Sequence, residues 1–249
     1  MRISRLAPGP AAIVVALSRE AAPIARHLGL RRHGVQRGVT QYRGGDERIH
    51  LLQVGMGPRG AARALGCLEE KQPALLLSAG FCGGVGTEVS LGDMLVASQV
   101  VRHTGSFPAD PLLLKTASRV LKTIGLSFHV GTILTVDEVV APGEGMREMG
   151  DLQIQAVDME SAYLAEGARQ QGIPFLAMRV VSDTPAEPWA AEGKLFVEPD
   201  GRLKPVSLAA SLLRHPVWIP QLLRVGSTLR RATRRLARGI EALLKELNA

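Results

Sequence analysis

The chain has 249 residues, 46% hydrophobic and 21% charged, which suits one large domain with a buried core. Its 27 glycines and 15 prolines stay below the low-complexity range, and only two cysteines, Cys67 and Cys82, exclude a disulfide scaffold or a Cys-rich zinc module. The net charge of +7 is local: from Val206 onward eight basic residues face only Glu241 and Glu246, so the body is nearly neutral and nucleic acid is not an expected partner.

Arg2 and Arg5 ahead of an apolar run at 11–17 superficially resemble a secretory signal. No small-residue cleavage site follows, and the run continues into Ser18-Arg19-Glu20, so a first buried strand at 12–17 is the better reading. A helix is predicted over 20–28, a strand at 49–54, a helix over 58–70 and a strand at 73–78. Strands at 93–101, 130–136, 155–158 and 175–181 continue the series, with helices over 111–124 and 161–171. Apolar strands alternating with helices predict an α/β fold: a mixed, largely parallel central sheet, able to close like a barrel, flanked by helices. Ligands in such folds sit at the carboxyl ends of the strands.

Two units are expected, a catalytic domain over 1–205 and a basic amphipathic helical extension over 206–249. Leu222, Val225, Leu229, Ala232, Leu236, Ile240, Leu243 and Leu247 fall on one helical stripe, with Arg224, Arg231, Arg234, Arg235 and Arg238 mainly off it. Such a helix either docks its stripe on protein or lies on an anionic membrane surface. No apolar run nears the roughly 20 residues a spanning helix needs, so the expected location is the cytoplasm.

Glycines cluster after the predicted strands: Gly55-Met56-Gly57, Gly80, Gly83-Gly84-Val85-Gly86, and Gly143 with Gly145. These read as loops whose amides can approach a ligand. Gly55, Gly57 and Gly60 fit a dinucleotide fingerprint, but Lys71 and Gln72 stand where a ribose-binding acid belongs, so that reading is rejected. The six histidines lack ligand spacing, and no metal is expected. The sharper constellation is Val157-Asp158-Met159-Glu160-Ser161, ending a strand and opening a helix, with Arg179-Val180-Val181-Ser182-Asp183 ending the next. Acids just after buried strands suit a cleft, although each alone also suits a helix start.

Those two motifs, with Ala16-Leu17-Ser18-Arg19-Glu20 and Ala79-Gly80-Phe81-Cys82-Gly83-Gly84 in the same order, resemble the nucleoside phosphorylase/nucleosidase superfamily, of the purine nucleoside phosphorylase and methylthioadenosine nucleosidase type. The likeness runs from about residue 12 to about residue 185. It implies cleavage of a purine, adenosyl-type N-ribosidic bond by a homo-oligomer acting on a small-molecule nucleoside, without a cofactor. It implies that Asp183, oriented by Ser182, is the acid at the departing base. Glu160 holds the ribose hydroxyls and Met159 packs on the sugar; Asp158, a further expected substrate contact, stands where the family commonly has glutamate. Gly80 and Phe81 line the ribose side, while Val139 and Val140 replace an aromatic base wall.

Two acceptors stay open. Glu20 matches the glutamate that activates water in the hydrolytic members, and Ser78 stands where an arginine of the phosphorylases would fall, which leans toward hydrolysis. Gly57, Arg59 and Arg63 are the candidate contacts if phosphate is the co-substrate. The Arg214-His215-Pro216-Val217-Trp218 stretch and the basic tail look similar to the hopanoid-associated phosphorylase branch, which acts on a lipid-linked adenosyl group. That similarity implies contact with the inner face of a membrane. A nucleoside-binding protein without catalysis is the remaining alternative, and both Asp183 and Glu160 argue against it.

Overall fold

The computed structural model describes residues 9–45, 47–85, 88–138, 153–185 and 218–248. Val139, Val140, Gly143 and Gly145 lie outside these, as does the expected boundary at 205. In chain order the elements are β1 (Ala11–Val15), α1 (Ser18–His27), β2 (Arg31–Gln36), β3 (Val39–Arg43), β4 (Ile49–Gln53), α2 (Gly57–Lys71), β5 (Leu75–Gly84) and β6 (Met94–Arg102). They continue with β7 (Gly105–Pro108), α3 (Pro111–Thr123), β8 (His129–Thr135), β9 (Ile154–Asp158), α4 (Ser161–Gln170), β10 (Phe175–Asp183) and α5 (Trp218–Asn248).

One mixed sheet organises the molecule. Its order is β10-β6-β8-β9-β5-β1-β4-β3-β2, and β10 also pairs with β5, so β5, β10, β6, β8 and β9 close into a ring. The pairs β1–β4, β1–β5, β5–β10, β6–β8 and β8–β9 are parallel. The barrel-like closure expected from the sequence is therefore present. Strand residues alternate between two cores. Ile13, Val15 and Leu77 join Ile24 of α1, Leu113 of α3 and Leu236 of α5 on one side. Val14, Leu52 and Leu76 join Ala61 and Leu68 of α2 and Leu164 of α4 on the other.

Two features differ from the sequence reading. The hairpin β2–β3 had no apolar signal, because β2 is polar and mostly exposed; Arg37 and Gly38 form its turn with φ of 51° and 76°. Both positive values match the two-residue turn that suits strand twist. The short β7 was also unpredicted; it pairs with the end of β6.

Second, β5 does not stop at 78 but runs to Gly84, so Gly80, Gly83 and Gly84 lie within a strand rather than in loops. Their glycines serve close packing: a Cβ on Gly84 would lie 2.9 Å from Val181 Cγ1.

The helix expected over the basic tail is α5, and its stripe packs into the body. Ala232, Leu236, Ala237, Ile240, Leu243 and Leu244 are buried in the same core as Ile13 and Leu77. Glu241 accepts from His27 of α1 at 2.9 Å, and Arg119 of α3 donates to Glu246 at 2.8 Å. The apolar stripe docks on protein, which removes it as a face for lying in a membrane. Among the described residues no helix is long and apolar enough to cross one.

Candidate active site

The site grows out of an irregularity in β5. Residues 75–78 of β5 pair with β1, and Gly83 and Gly84 pair with β9, so over 79–82 neither neighbour bonds that edge. Unpaired amides in a buried strand need another acceptor. Glu20 supplies it: its Oε1 accepts from the Phe81 amide at 2.8 Å and its Oε2 accepts from the Leu17 amide at 2.7 Å. Gly80 makes the approach possible, since a Cβ there would lie 2.7 Å from Glu20 Oε1. Burial pushes the Glu20 carboxyl above its usual range, opposed by those amides and by Arg179 and Arg19.

Across the opening, Glu160 follows β9 and Oε1 accepts from the Gly57 amide at the start of α2, at 2.7 Å. A helix N-terminus favours a carboxylate there. Burial nevertheless pushes Glu160 up to about 8, helped by the charges of Asp158 and Glu20 and opposed by Arg179 and the Gly57 amide. Met159 is half-buried, its Cε 3.6 Å from where a Cβ on Gly57 would stand, so it lies beside the same turn. Glu20, Glu160, Met159, Gly80 and Phe81 are thus brought to one region, after the ends of β1 and β9 and beside the middle of β5.

Asp158 takes a different place from the one expected. Its Oδ1 accepts from the Thr135 hydroxyl at 2.7 Å and the Ser161 amide at 3.2 Å, and its Oδ2 accepts from Arg179 Nε at 3.0 Å. Both oxygens are engaged by protein, so Asp158 is a buried support and not a substrate contact. Arg179 completes the network by donating Nη2 to the hydroxyls of Ser78 and Ser161, at 2.7 and 2.8 Å. Burial pulls the Arg179 pKa down, but Asp158, Glu160 and Glu20 outweigh it, and the guanidinium stays charged.

Sequence reasoning quoted Arg179 but gave it no role, and gave none to Thr135 or Ser161. One signal was available: an arginine inside an apolar strand demands a buried counter-charge.

Asp183 stands at the end of β10, where the pairing with β5 shifts between Val181 and Asp183. Such a bulge re-aims a side chain out of the ladder. Asp183 is exposed, its Oδ1 accepts from the Ser182 hydroxyl, and Oδ2 lies 3.3 Å from where a Cβ on Gly83 would stand. Ser182 also lies 3.2 Å from the Cys82 carbonyl, so it joins the two strand ends as expected of an orienting residue.

Of the candidate phosphate contacts, the Gly57 amide is taken by Glu160, Arg63 turns to the Gly38 carbonyl at 3.4 Å, and Arg59 is exposed. Among the described residues no three His, Cys, Asp or Glu side chains gather as metal ligands would.

Residues 10–214 match the family described as the phosphorylase superfamily. The chain belongs to that superfamily. Among the relatives of this superfamily member is the 5'-methylthioadenosine/S-adenosylhomocysteine nucleosidase of Chromohalobacter salexigens. It is 26% identical over 211 residues, covering 75% of this chain and 89% of the relative. The nucleosidase of the same name from Oceanobacillus iheyensis is 24% identical over 181 residues, covering 63% and 77%.

Solved structures share the fold. The Helicobacter pylori 5'-methylthioadenosine/S-adenosylhomocysteine nucleosidase with butyl-thio-DADMe-Immucillin-A superposes with a TM-score of 0.72 at 17% identity, covering 96% of this chain and 98% of that one. The futalosine hydrolase of Helicobacter pylori strain 26695 also gives 0.72, at 18% identity with the same coverages.

Proposed function

We propose that this phosphorylase-superfamily member hydrolyses the N-ribosidic bond of a purine, adenosyl-type nucleoside. The observation that carries the reading is the pair of buried carboxylates, Glu20 and Glu160, set beside one buried arginine, with Asp183 at the exposed mouth. Bond cleavage builds positive charge on the sugar and negative charge on the base. Glu160 anchors the ribose hydroxyls and, with Glu20, stabilises the sugar's charge. Glu20 keeps lone pairs beyond the two amides it already accepts, and its raised pKa makes it a better base toward water. Asp183, with Ser182 behind it, donates to the departing base.

Water is the acceptor that the charges favour. Phosphate would enter beside Glu20, Asp158, Glu160 and Asp183, whereas Arg179 is already matched by Asp158 at 2.9 Å. No cofactor is needed in this scheme. The named nucleosidases among the relatives support the adenosyl class, and the superfamily resemblance supports a homo-oligomer. Two buried cysteines without a disulfide suit the cytoplasm.

Incubating the protein with adenosine, methylthioadenosine and inosine, with and without phosphate, tests the reading by chromatography. The expected products are free base and free sugar, in equal amounts in both conditions. Base that forms only with phosphate, together with a sugar phosphate, overturns hydrolysis.

A second test follows from Glu160. A ribose hydroxyl donates to its carboxylate form, so nucleoside binding pulls its pKa down from about 8. Below that pH binding releases a proton, seen as a calorimetric enthalpy that depends on the buffer, and kcat/KM rises with pH toward a plateau above about 8. Glu160→Gln abolishes the proton release. Because the native value exceeds the ordinary 4.5, the folded state holds the extra proton between these values. This group's contribution to stability therefore declines as pH rises through that window.

A further inference from the structure

Burying the apolar stripe of α5 leaves the opposite face in water. Arg224, Arg230, Arg231, Arg234, Arg235 and Arg238 are all exposed. At 3.6 residues per turn they fall within an arc of about 140°, over a length of about 21 Å. Both acids of the helix, Glu241 and Glu246, lie beyond Arg238 and are engaged by His27, Lys245 and Arg119. Among the described residues none of the six arginines has a carboxylate within ion-pair distance. Unmatched charge packed this densely along one ridge repels itself and lacks a structural reason within the domain. Leu223 sits in the same arc and is 69% exposed, the most exposed of the large apolar side chains described.

We propose that this arginine ridge is a docking surface for an anionic lipid bilayer. Charge complementarity selects a polyanion, because nearly all of the net +7 resides in the tail while the body is close to neutral. Leu223 selects lipid over nucleic acid: an exposed aliphatic side chain among arginines inserts at the headgroup boundary, whereas a phosphate backbone offers it nothing. The mode differs from that of a free amphipathic helix, since the apolar stripe stays in the core and the helix docks by its charged side. None of the six arginines belongs to the proposed catalytic set, so docking places the enzyme without altering its chemistry.

The test uses the full chain with sedimented vesicles of two parts phosphatidylcholine to one part phosphatidylglycerol, and with vesicles of phosphatidylcholine alone. Binding is expected only to the anionic vesicles, and is lost when salt is raised to about 1 M, where screening acts within about 3 Å. Each arginine near such a surface contributes roughly fivefold. The variant with R231Q, R234Q, R235Q and R238Q therefore loses about a hundredfold or more in vesicle affinity. Its thermal midpoint does not fall, since repulsion along the ridge is relieved, and its turnover of a soluble nucleoside stays unchanged. Leu223→Ala weakens vesicle binding several-fold and leaves any duplex DNA binding unaffected. Absence of binding to anionic vesicles at low salt overturns the proposal. So does equal binding by the quadruple variant, or a preference for duplex DNA that ignores Leu223.

Discussion

Replacing Asp183 with asparagine lowers turnover by about 10²–10⁴ while the protein stays folded, because asparagine keeps the shape and removes the proton donor. The side chain is placed by three separate devices. The register shift after Val181 swings it out of the ladder, Gly83 leaves the space beside it, and the Ser182 hydroxyl holds Oδ1. Since Asp183 is itself exposed, burial of its own side chain plays no part in the effect. The expected result is a collapse in kcat with an unchanged thermal midpoint, read from initial rates and a melting curve on one preparation. Full activity in folded Asp183→Asn protein contradicts the assignment of the acid. The phenotype separates chemistry from architecture, which substitutions deeper in the site do not.

Arg179→Met has the largest expected effect on stability. The Arg179 and Asp158 side chains are 3% and 1% exposed, and their ion pair is surrounded by Thr135, Ser78 and Ser161. Removing one partner of such a pair costs about 3–5 kcal/mol, because the other charge stays buried without compensation. For a domain of this size that corresponds to a fall in Tm of roughly 6–20 °C.

Glu20 and Glu160 lose a cation that holds their pKa values down, so both become more protonated and activity at neutral pH falls as well. The double variant Arg179→Met/Asp158→Leu removes both charges and recovers much of the lost stability, as apolar replacements of buried pairs do. It recovers activity only in part, since Glu160 is freed of the Asp158 charge while Glu20 still lacks its cation. A single variant that melts with the parent shows that the network does not support the fold.

Much of this protein was legible in local sequence. The helices α1, α2, α3 and α4 and most strands follow from apolar periodicity, and the acids after β9 and β10 follow from ordered motifs. The same periodicity located the buried face of α5, since a stripe of Ala232, Leu236, Ile240 and Leu243 needs no knowledge of its partner. These features depend on near neighbours in the chain, which is the range over which pattern and propensity act.

What only the tertiary structure decided are the contacts between residues far apart in sequence. Glu20 meets Phe81, Glu160 meets the Gly57 amide, and Arg179 meets Ser78 and Asp158. Periodicity carries no information about such pairs. Nor does it show whether a glycine opens a loop or, as at Gly80, vacates space for a carboxylate arriving from another strand. The role of Asp158 was misjudged for the same reason: an acid at a strand end looks alike whether it faces solvent or a buried arginine. The ring closure of β10 on β5 turned those isolated acids into one site, because it set the ends of β9 and β10 beside the same residues of β5.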